Sequence, residues 1–249
     1  MVNNNNLLDI KSVRYKDKLL LPGTADGALI GGVDEAGRGS VIGPLVVAGI
    51  SIEKNGISQL LKLGIRDSKK LTPTARANFF GNILQLANSF YVSKIQCHEV
   101  DSYVFFNGLN ELEAIGMAEV INNIRAARVY VDACDINLER YKNSIKKYLW
   151  TPKPKIYCVH HADCSNVVVS AASIVAKIVR DNEVQRIRNI YHDIGSGYPS
   201  DKKTMFFIKK WVTRYKAAPH FARKSWRPLR IMLESESSKE SIGLINCAY

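Results

Sequence analysis

Apolar residues in this chain fall either in short continuous runs or in longer helical stripes. Leu45 to Ile52 (LVVAGISI) is apolar almost throughout, as a strand buried on both faces must be, and Leu29 to Glu35 also reads as a strand. Thr72-Pro73 opens a helix, pairing a hydroxyl N-cap with a proline whose missing N–H costs nothing in the first turn, and the pattern carries it to about Ala87. Ser89 to Cys97 is β-like and Glu111 to Asn123 helical. Arg128 to Ala133 (RVYVDA) and Lys155 to Val159 read as strands, Ser170 to Tyr191 as a long helix, and two basic helical stretches follow Ser200. Strands in a run, then alternating with helices, predict an α/β fold on a mixed sheet. Residues 1–28 show little periodicity and predict a loose or edge-packed extension. From Glu234 the stretch ESESSKESIGLINCAY predicts a mobile polar tail with an apolar end.

The 249 residues, 46% of them hydrophobic, suffice for one substantial core with a smaller appended unit. A formal net charge of +12 points to an anionic partner: nucleic acid, a membrane surface or an acidic protein. No membrane span is predicted, because no apolar run approaches ~20 residues and the best candidate, Val41 to Ile52, is broken by Gly43 and Pro44. The opening MVNNNNLLDI lacks an apolar signal core, so the expected location is cytoplasmic. Cys97, Cys134, Cys158, Cys164 and Cys247 are scattered and odd in number, which suits a reducing compartment rather than a disulfide framework. The segment Cys158 to Cys164 (CVHHADC) looks superficially like a zinc site, but has neither C-x-x-C nor H-x-x-x-H spacing.

Candidate chemistry concentrates in GGVDEAGRGSVIGPLVVAGISI, Gly31 to Ile52. Gly37, Gly39 and Gly43 lead into a strand, whereas a dinucleotide fingerprint must open a helix whose N-terminus carries the pyrophosphate. Asp34 and Glu35 are adjacent acids in apolar surroundings, costly there unless their charge is compensated. Strand neighbours face opposite ways, so both serve one site only if the strand ends or bulges, which Gly37 and Gly39 permit. The plain alternative is that the acids decorate a turn. The other is a hard divalent cation, which takes carboxylate oxygens. Two more acids hold odd positions. Asp132 ends the strand RVYV, at the edge where α/β sheets place their chemistry, and Asp181 borders the apolar stripe of SAASIVAKIVRDNEV. Four such acids in a basic protein favour a metal-dependent reaction on a polyanion.

Together these residues form a pattern that resembles the type 2 ribonucleases H, the ribonuclease HII family. D-E-A-G-R-G at Asp34 to Gly39 and V-I-G-P-L-V-V-A-G after it carry the resemblance, with D-S-K-K-L-T at Asp67 to Thr72 and V-D-A at Val131 to Ala133. It continues through H-x-A-D at His160 to Asp163, V-S-A-A-S-I-V-A-K at Val169 to Lys177 and G-S-G-Y-P-S-D at Gly195 to Asp201. The resemblance implies a ribonuclease H-like α/β fold, a mixed five-stranded sheet flanked by helices with a small C-terminal helical region. The chain then divides into an extension (1–28), a catalytic domain (29–200), a basic helical region (201–233) and a polar tail with an apolar end (234–249). The implied activity is hydrolysis of the RNA strand in RNA–DNA hybrids and nicking 5′ to ribonucleotides embedded in duplex DNA, giving 3′-hydroxyl and 5′-phosphate ends. The family's four catalytic, metal-binding carboxylates fall on Asp34, Glu35, Asp132 and Asp181, with Mg²⁺ or Mn²⁺ as cofactor. Its ribonucleotide-sensing G-R-G loop falls on Gly37, Arg38 and Gly39, and its sugar-stacking tyrosine on Tyr198. Ser40 departs from a frequent proline and Val159 from a frequent glutamate. The 33 residues before Asp34 are too few for the extra domain of the type 3 relatives, which are the alternative enzyme. A catalytically idle nucleic-acid-binding protein is the alternative from another class.

Four carboxylates can hold two divalent ions about 3.5–4 Å apart, with Asp34 as the best bridging candidate. Glycines at Gly37 and Gly39 let backbone approach a sugar closely, and the 2′-hydroxyl is what separates RNA from DNA. Between Lys202 and Arg230 the chain has ten Lys or Arg residues and no acid, interleaved with Trp211, Tyr215, Phe221 and Trp226. That reads as a phosphate-facing surface over an aromatic core, and Lys69 and Arg38 are further phosphate candidates. Ile242, Leu244, Ile245 and Tyr249 are expected to fold back on the core. The resemblance also raises docking of this tail on the replication sliding clamp, although it lacks the usual opening Gln and closing aromatics.

Overall fold

The computed structural model describes residues 29–65 and 72–246. One sheet runs in the order β3-β2-β1-β4-β5, built from β1 (Ile30–Ala36), β2 (Leu45–Ile52), β3 (Ser89–Ile95), β4 (Arg128–Asp132) and β5 (Lys155–Val159). β1, β2 and β3 pair antiparallel, while β4 runs parallel to β1 and β5 parallel to β4, so the sheet is mixed as expected. The helices described are α1 (Lys54–Lys62), α2 (Pro73–Leu86), α3 (Cys97–Val104), α4 (Leu109–Ile124), α5 (Leu138–Lys147), α6 (Ala162–Ser165), α7 (Val167–Tyr191), α8 (Lys202–Tyr215) and α9 (Arg227–Asn246).

Alternation along the strands builds two cores. Leu45, Val47, Val33, Val129 and Val131 pack with Met117 and Ile121 of α4 and Tyr141 and Ile145 of α5. Val46, Ala48, Ile50 and Ile52 face the other way, against Leu60 of α1, Ile83 of α2 and Ile174 and Val175 of α7. Each fully buried side chain of this size contributes about 1.5–3 kcal/mol. α7 lies directly on β1 because Gly32 has no side chain; a Cβ there would sit 2.4 Å from the carbonyl carbon of Val168. A third cluster joins Val41, Ile42 and Val184 to Ile208, Val212, Phe221 and Leu229, and it seats α8 and α9 against the sheet domain.

One expectation is corrected. The stretch from Glu234, expected as a mobile polar spacer, continues α9 as helix to Asn246. Met232 and Leu233 pack on the third cluster, and the buried Glu236 accepts a hydrogen bond from Lys216. The serines, which lowered helix propensity in the sequence, return their hydroxyls to carbonyls one turn back: Ser237 to Leu233 at 3.1 Å and Ser238 to Glu234 at 2.9 Å. Residues 1–28, Lys69 and Tyr249 lie outside the described residues. Among the described residues no helix is long and apolar enough to cross a membrane.

Candidate active site

β1 and β4 are parallel neighbours paired from Ile30↔Arg128 to Val33↔Val131, so the next residues, Asp34 and Asp132, stand side by side at the carboxyl ends of two adjacent strands. Asp163 in α6, just past the end of β5, completes a group: one carboxylate oxygen each from Asp34, Asp132 and Asp163 lie within 4.8 Å of one another. Asp132 Oδ1 accepts from the Ala162 N–H at 2.9 Å and so fastens the turn that carries Asp163. Ser170 of α7 donates to the Asp163 carbonyl from the other side. Asp34 faces α7, where it meets Ser173, and its Oδ1 accepts from the Glu35 N–H at 2.7 Å. Burial pushes the Asp34 carboxyl up to about 7; the charges of Asp132 and Asp163 push the same way, against the Ser173 hydrogen bond.

Glu35 leaves the strand on the opposite face. The ladder with β2 stays in register through Ala36, so the strand end is reached without a bulge. Glu35 points toward α4, where burial, then the charges of Glu113 and Asp34, hold its carboxyl well above the usual range. Its Oε2 is shielded and has no hydrogen-bond partner among the described residues. Glu113 is fully buried and takes Arg38: Arg38 Nε donates to Glu113 Oε2 at 2.7 Å and its Nη2 to Asn110 Oδ1 at 2.6 Å. Arg38, expected as a phosphate contact, is thus committed to α4.

Asp181 does not join the three-carboxylate group. It sits exposed on α7 and accepts from Arg76 and from Arg180, each at 3.1 Å. The loop before α8 turns on Gly195 and Gly197, both with positive φ, and is tied by Asp201, which accepts from the Ser196 N–H at 2.6 Å and the Lys203 N–H at 2.9 Å. These bonds hold the Asp201 carboxyl down at about 2. Gly197 O accepts from the Val41 and Ile42 N–H groups, docking this loop on the one after β1. Tyr198 is thereby brought over Arg180, whose guanidinium carbon is 4.4 Å from the ring centroid. Arg180 also lines Gly37, which has φ +85° and where a Cβ would lie 2.8 Å from Pro44 O, so only glycine fits. Gly39 is different: it is exposed, and a Cβ would meet nothing within 4 Å. Ser40 replaces the frequent proline productively, since its hydroxyl at 2.8 Å and its N–H at 3.2 Å both close the turn on Gly37 O.

Sequence reasoning missed Asp163, Glu113 and Arg180 as parts of this arrangement. Asp163 was within reach, being the acid of the H-x-A-D stretch. Glu113 was too: it lies four residues from both Leu109 and Met117, on a stripe that should be apolar.

A family model described as Ribonuclease HII matches residues 31–228. The chain is 43% identical over 204 residues to a ribonuclease HII of Cenarchaeum symbiosum, covering 82% of this chain and 98% of the relative. To that of Pyrococcus furiosus it is 40% identical over 214 residues, covering 85% and 94%. Among solved structures it is similar to ribonuclease H2 from Pyrococcus horikoshii, with TM-score 0.78, 35% identity and coverage of 83% and 98%. It is also similar to a structure of the PCNA:RNase HII complex from Archaeoglobus fulgidus, with TM-score 0.73, 33% identity and coverage of 80% and 95%. A match over this span, to relatives aligned along nearly their whole length, shows that the chain belongs to the ribonuclease HII family, ribonucleases H that degrade the RNA of RNA–DNA hybrids.

Proposed function

We propose that this chain also nicks duplex DNA on the 5′ side of an embedded ribonucleotide, leaving 3′-hydroxyl and 5′-phosphate ends, and that it works with Mg²⁺ or Mn²⁺. The observation that carries this reading is the placing of a carboxylate group at the end of β1, followed within three residues by a turn with open space at Gly39. The acids suit a divalent cation. They offer hard oxygen donors within 4.8 Å of one another, and the Asp34 carboxyl at about 7 reflects desolvation and like-charge repulsion that a cation would relieve. Asp34, Asp132 and Asp163 would hold it; of the family pattern's other two carboxylates, Glu35 is turned toward α4 and Asp181 lies outside the group on α7. A bound divalent cation supplies charge neutralisation at the phosphate and a more acidic water.

The chain's own residues account for the selectivity. Gly37 and Gly39 let the backbone reach a ribose, and Tyr198 gives the sugar a flat support in a tied loop. Lys202, Lys203, Lys209 and Lys210 of α8 would meet phosphates. The test is a DNA duplex carrying one ribonucleotide, incubated with and without Mg²⁺ or Mn²⁺. A single metal-dependent nick 5′ to the ribonucleotide is expected; cutting confined to long hybrids would select type 3 behaviour instead. Asp34→Ala or Asp132→Ala should cost more than the roughly 100-fold that loss of a ligand's outer support costs, and a residual rate above about a tenth would overturn the metal assignment. A sliding clamp is a second proposed partner, supported by the PCNA complex of the Archaeoglobus relative. Clamp captured by the full chain but not by a chain ending at Leu233 would support it.

A further inference from the structure

The carbonyls of the Gly37–Gly39 turn are all held by the C-terminal region. Arg223, fully buried between α8 and α9, donates from Nη1 to Arg38 O at 2.8 Å, and from Nη2 to Gly37 O at 2.8 Å and Gly43 O at 3.1 Å. Trp226 Nε1 donates to Gly39 O at 3.3 Å, and the Arg223 guanidinium lies 4.9 Å from the Trp226 ring centroid. Among the described residues no carboxylate pairs with Arg223. Burial holds its pKa down at about 10, so the charge is kept there at a cost. Apolar packing in the third cluster does not call for a cation. A planar fork of donors is what meets several carbonyls at once; an ammonium is a point donor.

The geometry has a consequence on the other side of the turn. In a trans peptide, a C=O and the following N–H point in opposite directions. Fixing Gly37 O and Arg38 O on Arg223 therefore turns the N–H groups of Arg38 and Gly39 away from it, and among the described residues neither meets an acceptor. Two successive N–H groups beside a residue without a side chain form a concavity suited to oxygen atoms of a ligand.

We propose that Arg223, seconded by Trp226, is the positioning residue of the ribonucleotide reader. It sets the orientation of the Arg38 and Gly39 peptides from the interior, and so sets the preference for a ribose in a DNA duplex, without touching substrate. This rests on the reading of Gly37–Gly39 and Tyr198 as the ribose-sensing elements.

The test compares kcat and KM on two substrates, a DNA duplex with one ribonucleotide and a long RNA–DNA hybrid. The hybrid offers a ribose in every register and tolerates a misturned peptide better. Arg223→Lys keeps the charge but cannot span the carbonyls; Trp226→Phe keeps an aromatic ring in the packing of Trp226 and deletes the donor to Gly39. Both are expected to lower kcat/KM on the single ribonucleotide at least about tenfold more than on the hybrid, chiefly through kcat, as misplacement of a reacting group does. Leu229→Ala loosens the same cluster without touching the turn. It is expected to lower Tm and leave the ratio between substrates unchanged; an equal change in that ratio would overturn the proposal as general loosening. Should Arg223→Lys fail to fold, Trp226→Phe carries the test. If the ratio stays at wild type in these variants while Tyr198→Ala shifts it, the proposal is overturned and the reader stands. If Tyr198→Ala leaves it unchanged as well, the reading of the reader itself falls.

Discussion

Asp34 is buried beside Asp132 and Asp163, and folding raises its carboxyl from 3.8 to about 7. Between those two values the folded chain binds more protons than the unfolded one, so in the absence of metal this group makes stability fall as pH rises from about 4 to about 7, and level off above. Glu35 and Glu113 are raised as well and act with the same sign. Asp34→Asn removes the charge and keeps the shape. It should abolish cleavage yet raise Tm in chelator, by more at about pH 8 than at about pH 5. Mg²⁺ or Mn²⁺ should stabilise the wild type at the higher pH and the variant far less, since a ligand stabilises only the state that binds it. Thermal melts at both pH values check this. An equal gain at both would mean that charge burial is not the cause.

Elements position these residues through close backbone contact. At Gly32 an added Cβ would lie 2.4 Å from Val168 C and 2.6 Å from Val169 N, atoms of the first turn of α7 that cannot rotate away. Gly32→Ala must therefore lift α7, which carries Ser173, Arg180 and Asp181, off β1. A loss of at least about 1–3 kcal/mol is expected, read as a lower Tm, and activity should fall with it. An unchanged Tm would show slack between the two elements. The same elements show what a sequence can disclose. β2 was legible because it is buried on both faces, and α2 because Thr72 caps it, Oγ1 accepting from the Ala75 N–H at 3.2 Å. α5 is harder to read: LERYKNSIKK is short and mostly polar, and its stripe rests on Leu138, Tyr141 and Ile145 alone. Asp34 and Asp132 could be read from their places at strand ends. Asp163 joins them only when α6 folds back across β4, a tertiary contact that periodicity does not encode. Arg223 was hidden most completely: in a basic run it counts as surface charge, and the fold puts it inside.

Ten of the chain's 35 Lys and Arg residues fall between Lys202 and Arg230, with no acid among them. α8 buries Thr204, Ile208 and Val212 against the third cluster, and at 100° per residue its opposite side carries Lys202, Lys203, Lys209 and Lys210, all exposed, around Phe206. Lys210 Nζ lies 4.7 Å from the Phe206 ring centroid, so the stripe is part aromatic. Asp201 caps this helix and also ties the loop of Tyr198, which joins the lysine face and that loop through one side chain. A duplex aligned for cleavage should then lie along α8. Each phosphate neutralised contributes about −0.9 to the slope of log K against log salt. Changing Lys202, Lys203, Lys209 and Lys210 together to Gln should flatten that slope by about 3–4 if all four meet phosphates. The buried stripe of α8 is untouched by these changes, so Tm should hold, which separates lost contacts from lost structure. Anisotropy titrations of a labelled hybrid in chelator, where nothing is cut, give the slope directly. An unchanged slope would move the binding face away from α8, and with it the argument that the loop of Tyr198 and the phosphate contacts are carried by one element.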